Sequence, residues 1–399
     1  MLSVDEARSR ILDAVSVMQP ETIALDNALG RVLAEGVMAR VTHPPVAVSA
    51  MDGYAVRAED VAASGKPLTV VGESAAGHPY TGPVPDGAAV RIFTGAQVPD
   101  GLNTILIQED AERAGDIVTA RDAVPSGKFV RSAGLDFKEG DAGPCAGTVL
   151  GSRDIALIAA MNVPWLTVFR RPRVGILSTG DEIALPGEPL GDAGIVGSNG
   201  PGLAAFVRSV GGDPVMLGIA KDTTDDLAAK LGSAKGCDAI VTTGGASVGD
   251  HDLVQGVLKD IGATLGFYKI AMRPGKPLMF GTLKGVPVLG LPGNPVSAMV
   301  TALLFLGPAM RKAQGIEAVG PITEAVPLAA DVPANDHRED YLRATLEHNA
   351  SGAVVVRSFP RQDSSMLATL TRADALIIRP ANAPAATAGD TVPVIRLTS

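Results

Sequence analysis

The chain has 399 residues, 46% of them apolar and 19% charged, with a formal net charge of −9. That length leaves room for roughly two to four domains with sizeable cores, and the composition excludes a disordered chain. The acidic balance, with no Lys/Arg-rich run, argues against a general nucleic-acid binder, while a local cationic pocket for a compact anion remains compatible with it.

Met1 to Met18 reads as an amphipathic helix without a signal-peptide pattern, and Ser3 with Glu6 forms a capping box. A second short helical patch lies near Leu25 to Leu33, and His43-Pro44-Pro45 closes this region. From 46 to 137 the chain is rich in Gly, Pro and Val, and Leu68–Val71, Ala89–Phe93 and Thr104–Gln108 read as strands of a small β lobe. A helix is predicted over Ser152–Met161. It is expected to pack back on the N-terminal helix, so that 1–45 and 138–170 form one mixed domain with 46–137 inserted. The apolar stretch Ala156–Phe169 is broken by Asn162 and Pro164 and is too short to span a bilayer. Cys145 and Cys237 lie far apart without metal-type spacing, which fits a reducing, cytoplasmic setting.

Phe169-Arg170-Arg171-Pro172-Arg173 reads as a hinge, after which strands and helices alternate. Strands are predicted at Val174–Leu177, Val215–Ile219, Ala239–Thr242 and Pro287–Leu291. Helices are predicted at Pro201–Val210, Thr224–Leu231, Leu253–Ile261 and Pro295–Gln314. The alternation implies an α/β domain over 171–318, doubly wound, with a mostly parallel sheet covered on both faces. Residues 319–399 read as a β-rich lobe with strands near Ala325–Pro327, Ala353–Arg357 and Thr391–Leu397.

Ligands bind such sheets at the carboxyl ends of the strands. Those ends carry Ser178-Thr179-Gly180-Asp181-Glu182, Lys221-Asp222, a run from Thr243 through Gly244, Gly245, Ser247, Gly249 and Asp250 to Asp252, and Leu291-Pro292-Gly293-Asn294-Pro295-Val296-Ser297. In the last of these, Asn294 is placed as an N-cap and Pro295 as the first helical residue, a helix start suited to an anion. Gly244, Gly245 and Gly249 suit backbone N–H groups pointed at phosphate oxygens. Glu182, Asp222 and Asp252 suit a hard cation such as Mg2+, or helix capping, and the two roles are compatible. Arg273 and Lys276 flank a Pro-Gly turn and form a candidate anion clamp.

Some patterns are set aside. Gly200-Pro201-Gly202-Leu203-Ala204-Ala205 matches a dinucleotide fingerprint but does not follow its strand directly, and Asn199 as a helix cap explains it more simply. Asp52-Gly53 is ordinary turn chemistry. The five histidines give no metal-ligand spacing.

Ser49–Ala55, Phe93–Ala96, Ser178–Glu182, Thr243–Asp252, Arg273–Pro277 and Leu291–Ser297 together occur in the order and spacing of the MoeA family, whose animal counterpart is the C-terminal part of gephyrin. The resemblance covers the whole chain. It implies a central domain similar to the MogA adenylyltransferase, a C-terminal β barrel, and a homodimer with the site at the subunit interface. It implies molybdenum insertion into adenylylated molybdopterin from molybdate with Mg2+, releasing AMP, and a contact with the molybdopterin adenylyltransferase. Neither nucleic acid nor membrane is expected as a partner. The resemblance assigns Ser178, Thr179, Gly180, Asp181, Ser198, Asn199, Gly244, Gly245, Ser247, Gly249, Asp250, Pro292, Gly293, Asn294, Pro295, Ser297 and Ser364 (or Ser365) to cofactor binding, with Gly244, Gly245, Ser247 and the Asn294-Pro295 helix start at the pterin phosphate. It assigns Glu182, Asp222 and Asp252 to metal or the attacking oxygen, and Lys269, Arg273 and Lys276 to the anions. Asp52, Thr94 and Asp136 close the site from the β lobe. Two departures stand out: Arg273 where many members have Lys, and Gly197 where many have an acidic residue. The competing readings are a pterin-phosphate adenylyltransferase, a non-catalytic scaffold and, last, a dehydrogenase.

Overall fold

The computed structural model describes residues 1–244 and 253–397. The chain forms two compact units: Met1–Glu21, Gly30–Ala34 and Thr167–Ser399 make one, and Thr22–Leu29 with Glu35–Leu166 make the other.

The second unit is built on a six-stranded sheet in the order Thr104–Ile107, Gly53–Val56, Ala88–Ile92, Pro67–Ser74, Ile117–Ala120, Ala111–Ala114. Apolar clusters around Tyr54, Leu68 and Leu106, and around Ala55, Ile92 and Ile105, fill its two faces. The three strands expected here are present: the first is extended to Pro67–Ser74, the second is shifted by one residue to Ala88–Ile92, and the third ends one residue earlier, at Thr104–Ile107. Of the expected Asp52-Gly53 turn, Asp52 lies in a bend, while Gly53 opens the interior strand Gly53–Val56. Gly53 is required there because a Cβ would sit 2.1 Å from the Leu106 carbonyl oxygen. The expected patch at Leu25–Leu33 contracts to the 3-10 turn Leu25–Asn27, while Ser152–Ala160 is helical as predicted.

In the first unit, Val4–Asp13 is helical and carries the capping box foreseen, with Ser3 Oγ accepting from the Glu6 N–H at 3.2 Å. Its stripe of Val4, Ala7 and Ile11 needs an apolar partner, and it packs on the helix Pro295–Ala313. Val4–Asp13 and Ser152–Ala160 fall in different compact units. Pro295–Ala313 is long and apolar enough to cross a membrane, yet 78% of its apolar window is buried inside the protein. Pro308 removes one N–H from that helix, the turn Ala302–Leu306 widens to a π turn just before it, and Arg8 Nε donates to the Leu304 carbonyl at 3.4 Å.

The central sheet runs in the order Asp213–Ala220, Arg173–Thr179, Ala239–Thr243, Val286–Leu291, Pro277–Leu283, Ala263–Lys269. The first four strands are mutually parallel, Pro277–Leu283 runs antiparallel to Val286–Leu291, and Ala263–Lys269 runs antiparallel to Pro277–Leu283. The sheet is therefore mostly parallel as expected, with an antiparallel end that the sequence did not reveal. Two clusters cover its faces, one around Ile176, Leu289 and Phe305, the other around Leu177, Leu227 and Leu258. The chain order reverses between Arg173–Thr179 and Ala239–Thr243, the position at which such sheets open a crevice.

The C-terminal strands run Glu339–His348, Ala375–Arg379, Thr391–Arg396, Thr323–Pro327, with Val354–Ser358 also paired to Glu339–His348. A bridge from Leu328, just after Thr323–Pro327, to Val356 in Val354–Ser358 joins the two ends of this sheet and closes a barrel around Ala344, Val356 and Val394. Met272–Arg273 from the central region adds in parallel to Glu339–Asp340.

Candidate functional site

A cleft of about 870 Å3 lies at the switch point of the central sheet. Ser178 and Thr179 from the end of one strand, Thr243 and Gly244 from the next, and Pro292, Gly293, Asn294 and Pro295 from a third form its floor. Ser198 and Asn199, Ser297, and Ser364 from the C-terminal lobe add to the lining.

Asn199 holds this floor together. Its Nδ2 donates to Thr243 Oγ1 and to the Gly293 carbonyl, both at 2.7 Å, and Thr243 Oγ1 donates to the Pro292 carbonyl at 3.2 Å. One side chain thus ties the ends of two strands to the start of a helix. The expected N-cap role is corrected: Asn199 is the first residue of the helix Asn199–Ser209, and Ser198 occupies the cap position. The fingerprint glycines accordingly lie inside that helix, so its rejection as a dinucleotide site stands.

Asn294 and Pro295 occupy the N-cap and first helical positions as predicted, but the Asn294 side chain makes no cap bond. It donates to Ser364 Oγ at 2.8 Å, and the Ser364 carbonyl accepts from the Val296 N–H at 3.1 Å. The C-terminal lobe therefore takes the helix-end group that a ligand would otherwise meet. Gly244 has φ +91°, and a Cβ on it would lie 2.3 Å from the Thr179 carbonyl oxygen. Thr179 is buried and its Oγ1 has no hydrogen-bond partner.

The charged residues divide. Glu182 lines the cleft. Asp222 does not: it is exposed, and its N–H donates to Asp181 Oδ1 at 3.1 Å. Helix capping next to it falls to Thr223, whose side chain accepts from the Asp226 N–H. Gly180 and Asp181 lie outside the lining, as does the exposed Lys269. Gly245, Ser247, Gly249, Asp250 and Asp252 lie outside the described residues. Among the described residues no group of three or more His, Cys, Asp and Glu could hold a metal ion. Glu182 alone of the expected metal set lines the cleft there, so the described residues do not build a Mg2+ site.

Arg273 lines the cleft, but its guanidinium is committed. Nε donates to Asp340 Oδ1 at 2.9 Å, and the second nitrogen pairs with Asp340 Oδ2. Asp340 is only 2% exposed, so this fork neutralises a buried carboxylate, and Arg273 is not the free cation expected. Lys276, three residues on, is exposed, lines the cleft and makes no ion pair with a described residue.

Arg338 is a lining residue that the sequence reading missed. It pairs with Asp336, and this hydrogen bond holds the Asp336 carboxyl well below its ordinary value. The strand Glu339–His348 that positions it was not foreseen; its one signal was the charge cluster His337-Arg338-Glu339-Asp340.

Asp52, Thr94 and Asp136 belong to the second unit. Asp52 accepts from the Thr94 N–H at 2.7 Å and from Thr94 Oγ1 at 2.8 Å. Those two bonds, backbone first, hold its carboxyl below the ordinary range, with Arg91 adding attraction. Asp136 is exposed and lines another cleft of that unit, of about 540 Å3, with Gly95, His43 and Arg131. The structure thus brings Asp52 and Thr94 into contact and leaves Asp136 on a neighbouring surface.

Residues 2–162 match the family model for the MoeA N-terminal region (domain I and II), 175–312 that for a probable molybdopterin binding domain, and 325–397 that for the MoeA C-terminal region (domain IV). The chain is 35% identical to a molybdopterin molybdenumtransferase of Nostoc, over 96% of this chain and 90% of the relative. It is 34% identical to molybdopterin molybdenumtransferase 2 of Mycobacterium tuberculosis over the whole of both chains. A molybdopterin biosynthesis MoeA protein from Pyrococcus horikoshii is similar in structure, with a TM-score of 0.83 and 28% identity over 99% of this chain and 100% of that one.

Proposed function

The chain belongs to the MoeA family, the molybdopterin molybdenumtransferases, and from that premise we propose how its cleft serves the transfer. Molybdenum transfer to molybdopterin is the family's reaction. The finer reading is that the substrate arrives adenylylated, that molybdate is the second substrate, and that the phosphoanhydride is cleaved with release of AMP.

The carrying observation is a strand-end floor lined by Gly244 and Gly293, beside Lys276, which makes no ion pair among the described residues. A phosphate approaching that floor meets the strand ends that Asn199 holds in register. Bringing an oxyanion to a diphosphate opposes like charges, and fixed cations offset that repulsion. Lys276 is the cation best supported for this role, while Arg273 sets the position of its turn through Asp340.

The Mg2+ requirement rests on the family resemblance, with Glu182 and Asp252 as its carboxylates; activity that survives chelation would remove it. We propose a homodimer in which Asp52, Thr94 and Asp136 of one subunit complete the site of the other. A strict monomer by light scattering sinks that part. A contact with the molybdopterin adenylyltransferase and a cytoplasmic setting belong to the same proposal, the latter supported by two free cysteines.

The test of the reaction is AMP release from adenylylated molybdopterin by the purified chain. Release is expected to rise with molybdate and to fall sharply in Lys276→Ala, mainly through a higher KM for molybdate. Release that ignores molybdate, or consumption of ATP, overturns the reading in favour of an adenylyltransferase.

A further inference from the structure

Between the strand Arg173–Thr179 and the helix Asn199–Ser209 the chain leaves the sheet and forms a two-stranded ribbon, Ile183–Ala184 with Ile195–Val196. The Ile195 N–H donates to the Glu182 carbonyl at 2.8 Å, and the Gly197 N–H to the Ala184 carbonyl at 2.9 Å. The connecting loop is pinned by the Leu185 N–H, which donates to Glu188 Oε2 at 2.8 Å. Ile183 and Ile195 stand opposite one another in register and so share a face.

Ile183, Ile195 and Val196 all line the cleft. Ile195 is 54% and Val196 46% exposed, so neither is buried by the protein's own core. Gly197 keeps this wall apolar: a Cβ there would lie 2.7 Å from Ile183 Cγ2, so an acidic side chain at 197 displaces Ile183. Single exposed apolar residues are ordinary. Here three β-branched residues line one cleft whose floor is glycine backbone and amide.

We infer that the Ile183–Ile195 face, edged by Val196, is a platform for the fused heteroaromatic ring of the substrate whose phosphate end meets the floor. The inference rests on the reading of the cleft as a pterin-phosphate site. An aliphatic pair covers one face of a planar ring through dispersion and release of water, and it needs no hydrogen bond to do so. A pterin and an adenine are both flat fused rings of this kind, and the two are separated by experiment.

The full-length chain is compared with Ile195→Ser and Ile195→Leu, with thermal midpoints measured for each. Each protein is titrated with a phosphorylated pterin by fluorescence quenching, with AMP by calorimetry, and with inorganic pyrophosphate as a probe of the floor alone. Ile195→Ser is expected to weaken one ring ligand about tenfold, equal to roughly 1.4 kcal/mol. Ile195→Leu is expected to restore it, and pyrophosphate binding is expected to stay unchanged. A loss confined to the phosphorylated pterin assigns the platform to the pterin ring, and a loss confined to AMP assigns it to adenine. Unchanged binding of both rings overturns the inference, as does an equal loss for pyrophosphate. A change in mass in solution with ring binding intact assigns the wall to a subunit contact and also overturns it. Failure of the broader reading shows separately, as absence of molybdate-dependent AMP release by the unsubstituted chain.

Discussion

The cleft floor and the Asp52–Thr94 contact are both polar and both expected in the site, yet they are held by different physics. The floor is half-buried structure, in which Asn199, Thr243 and Gly293 share hydrogen bonds across three chain segments. Asp52–Thr94 is an ion-to-donor contact at the surface of the second unit. The floor derives its shape from backbone that cannot move without cost. The Asp52 contact derives its shape from charge, and solvent protons can remove it.

Gly244→Ala attacks the floor most directly. The new Cβ meets backbone rather than a flexible side chain, and φ is positive, so destabilisation of about 3 kcal/mol or more is expected by denaturant unfolding, with AMP release lost. A normal midpoint would mean that the floor is pliable and the contrast mistaken. Arg273→Ala comes next, because it leaves Asp340 buried and unpaired. The Arg273 side chain is half exposed, so the cost is discounted to about 2 kcal/mol. Lys276→Ala on the same turn is expected to change stability by less than about 0.5 kcal/mol. Equal effects of the two substitutions would refute the division between a structural and a free cation.

Asn199→Ala removes two donations and is expected to cost about 1 to 2 kcal/mol, with a fall in kcat/KM larger than the stability loss explains. The smallest effect sharpens the other side of the comparison. Asp52 has a depressed folded pKa, so its contribution is present above the ordinary value of 3.8 and lost as pH falls through the folded pKa. At neutral pH the unsubstituted chain keeps that contribution. Its thermal midpoint is expected to fall more steeply in acid than that of Asp52→Asn. Parallel acid profiles would show that the Thr94 contact does not perturb Asp52.

The same contrast separates what was legible from what was not. The parallel strands and their helices were readable because each carries a continuous apolar run or stripe, a property of neighbours in the chain. The helix start at Asn294-Pro295 was readable for the same reason. Gly53–Val56 escaped because its small residues and the preceding Asp resemble a turn, and only the Leu106 backbone alongside shows that a strand must pass there. Pro277–Leu283 and Ala263–Lys269 escaped because their pairing partners, not their patterns, make them strands.

By itself the sequence determined the strand–helix alternation of the central domain, the gathering of glycines and carboxylates at strand ends, and the family to which the chain belongs. Tertiary structure alone decided which of those groups are free. Arg273 and Lys276 are alike in sequence terms, and Asp340, 67 residues from Arg273, claims one of them. Asn199 was expected to cap a helix and instead joins two strand ends, because Thr243 and Gly293 reach it from elsewhere in the chain. Local propensity depends on adjacent residues. A charge or an amide is spent on whatever the fold brings within about 3 Å of it, and that choice is made only when distant segments pack together.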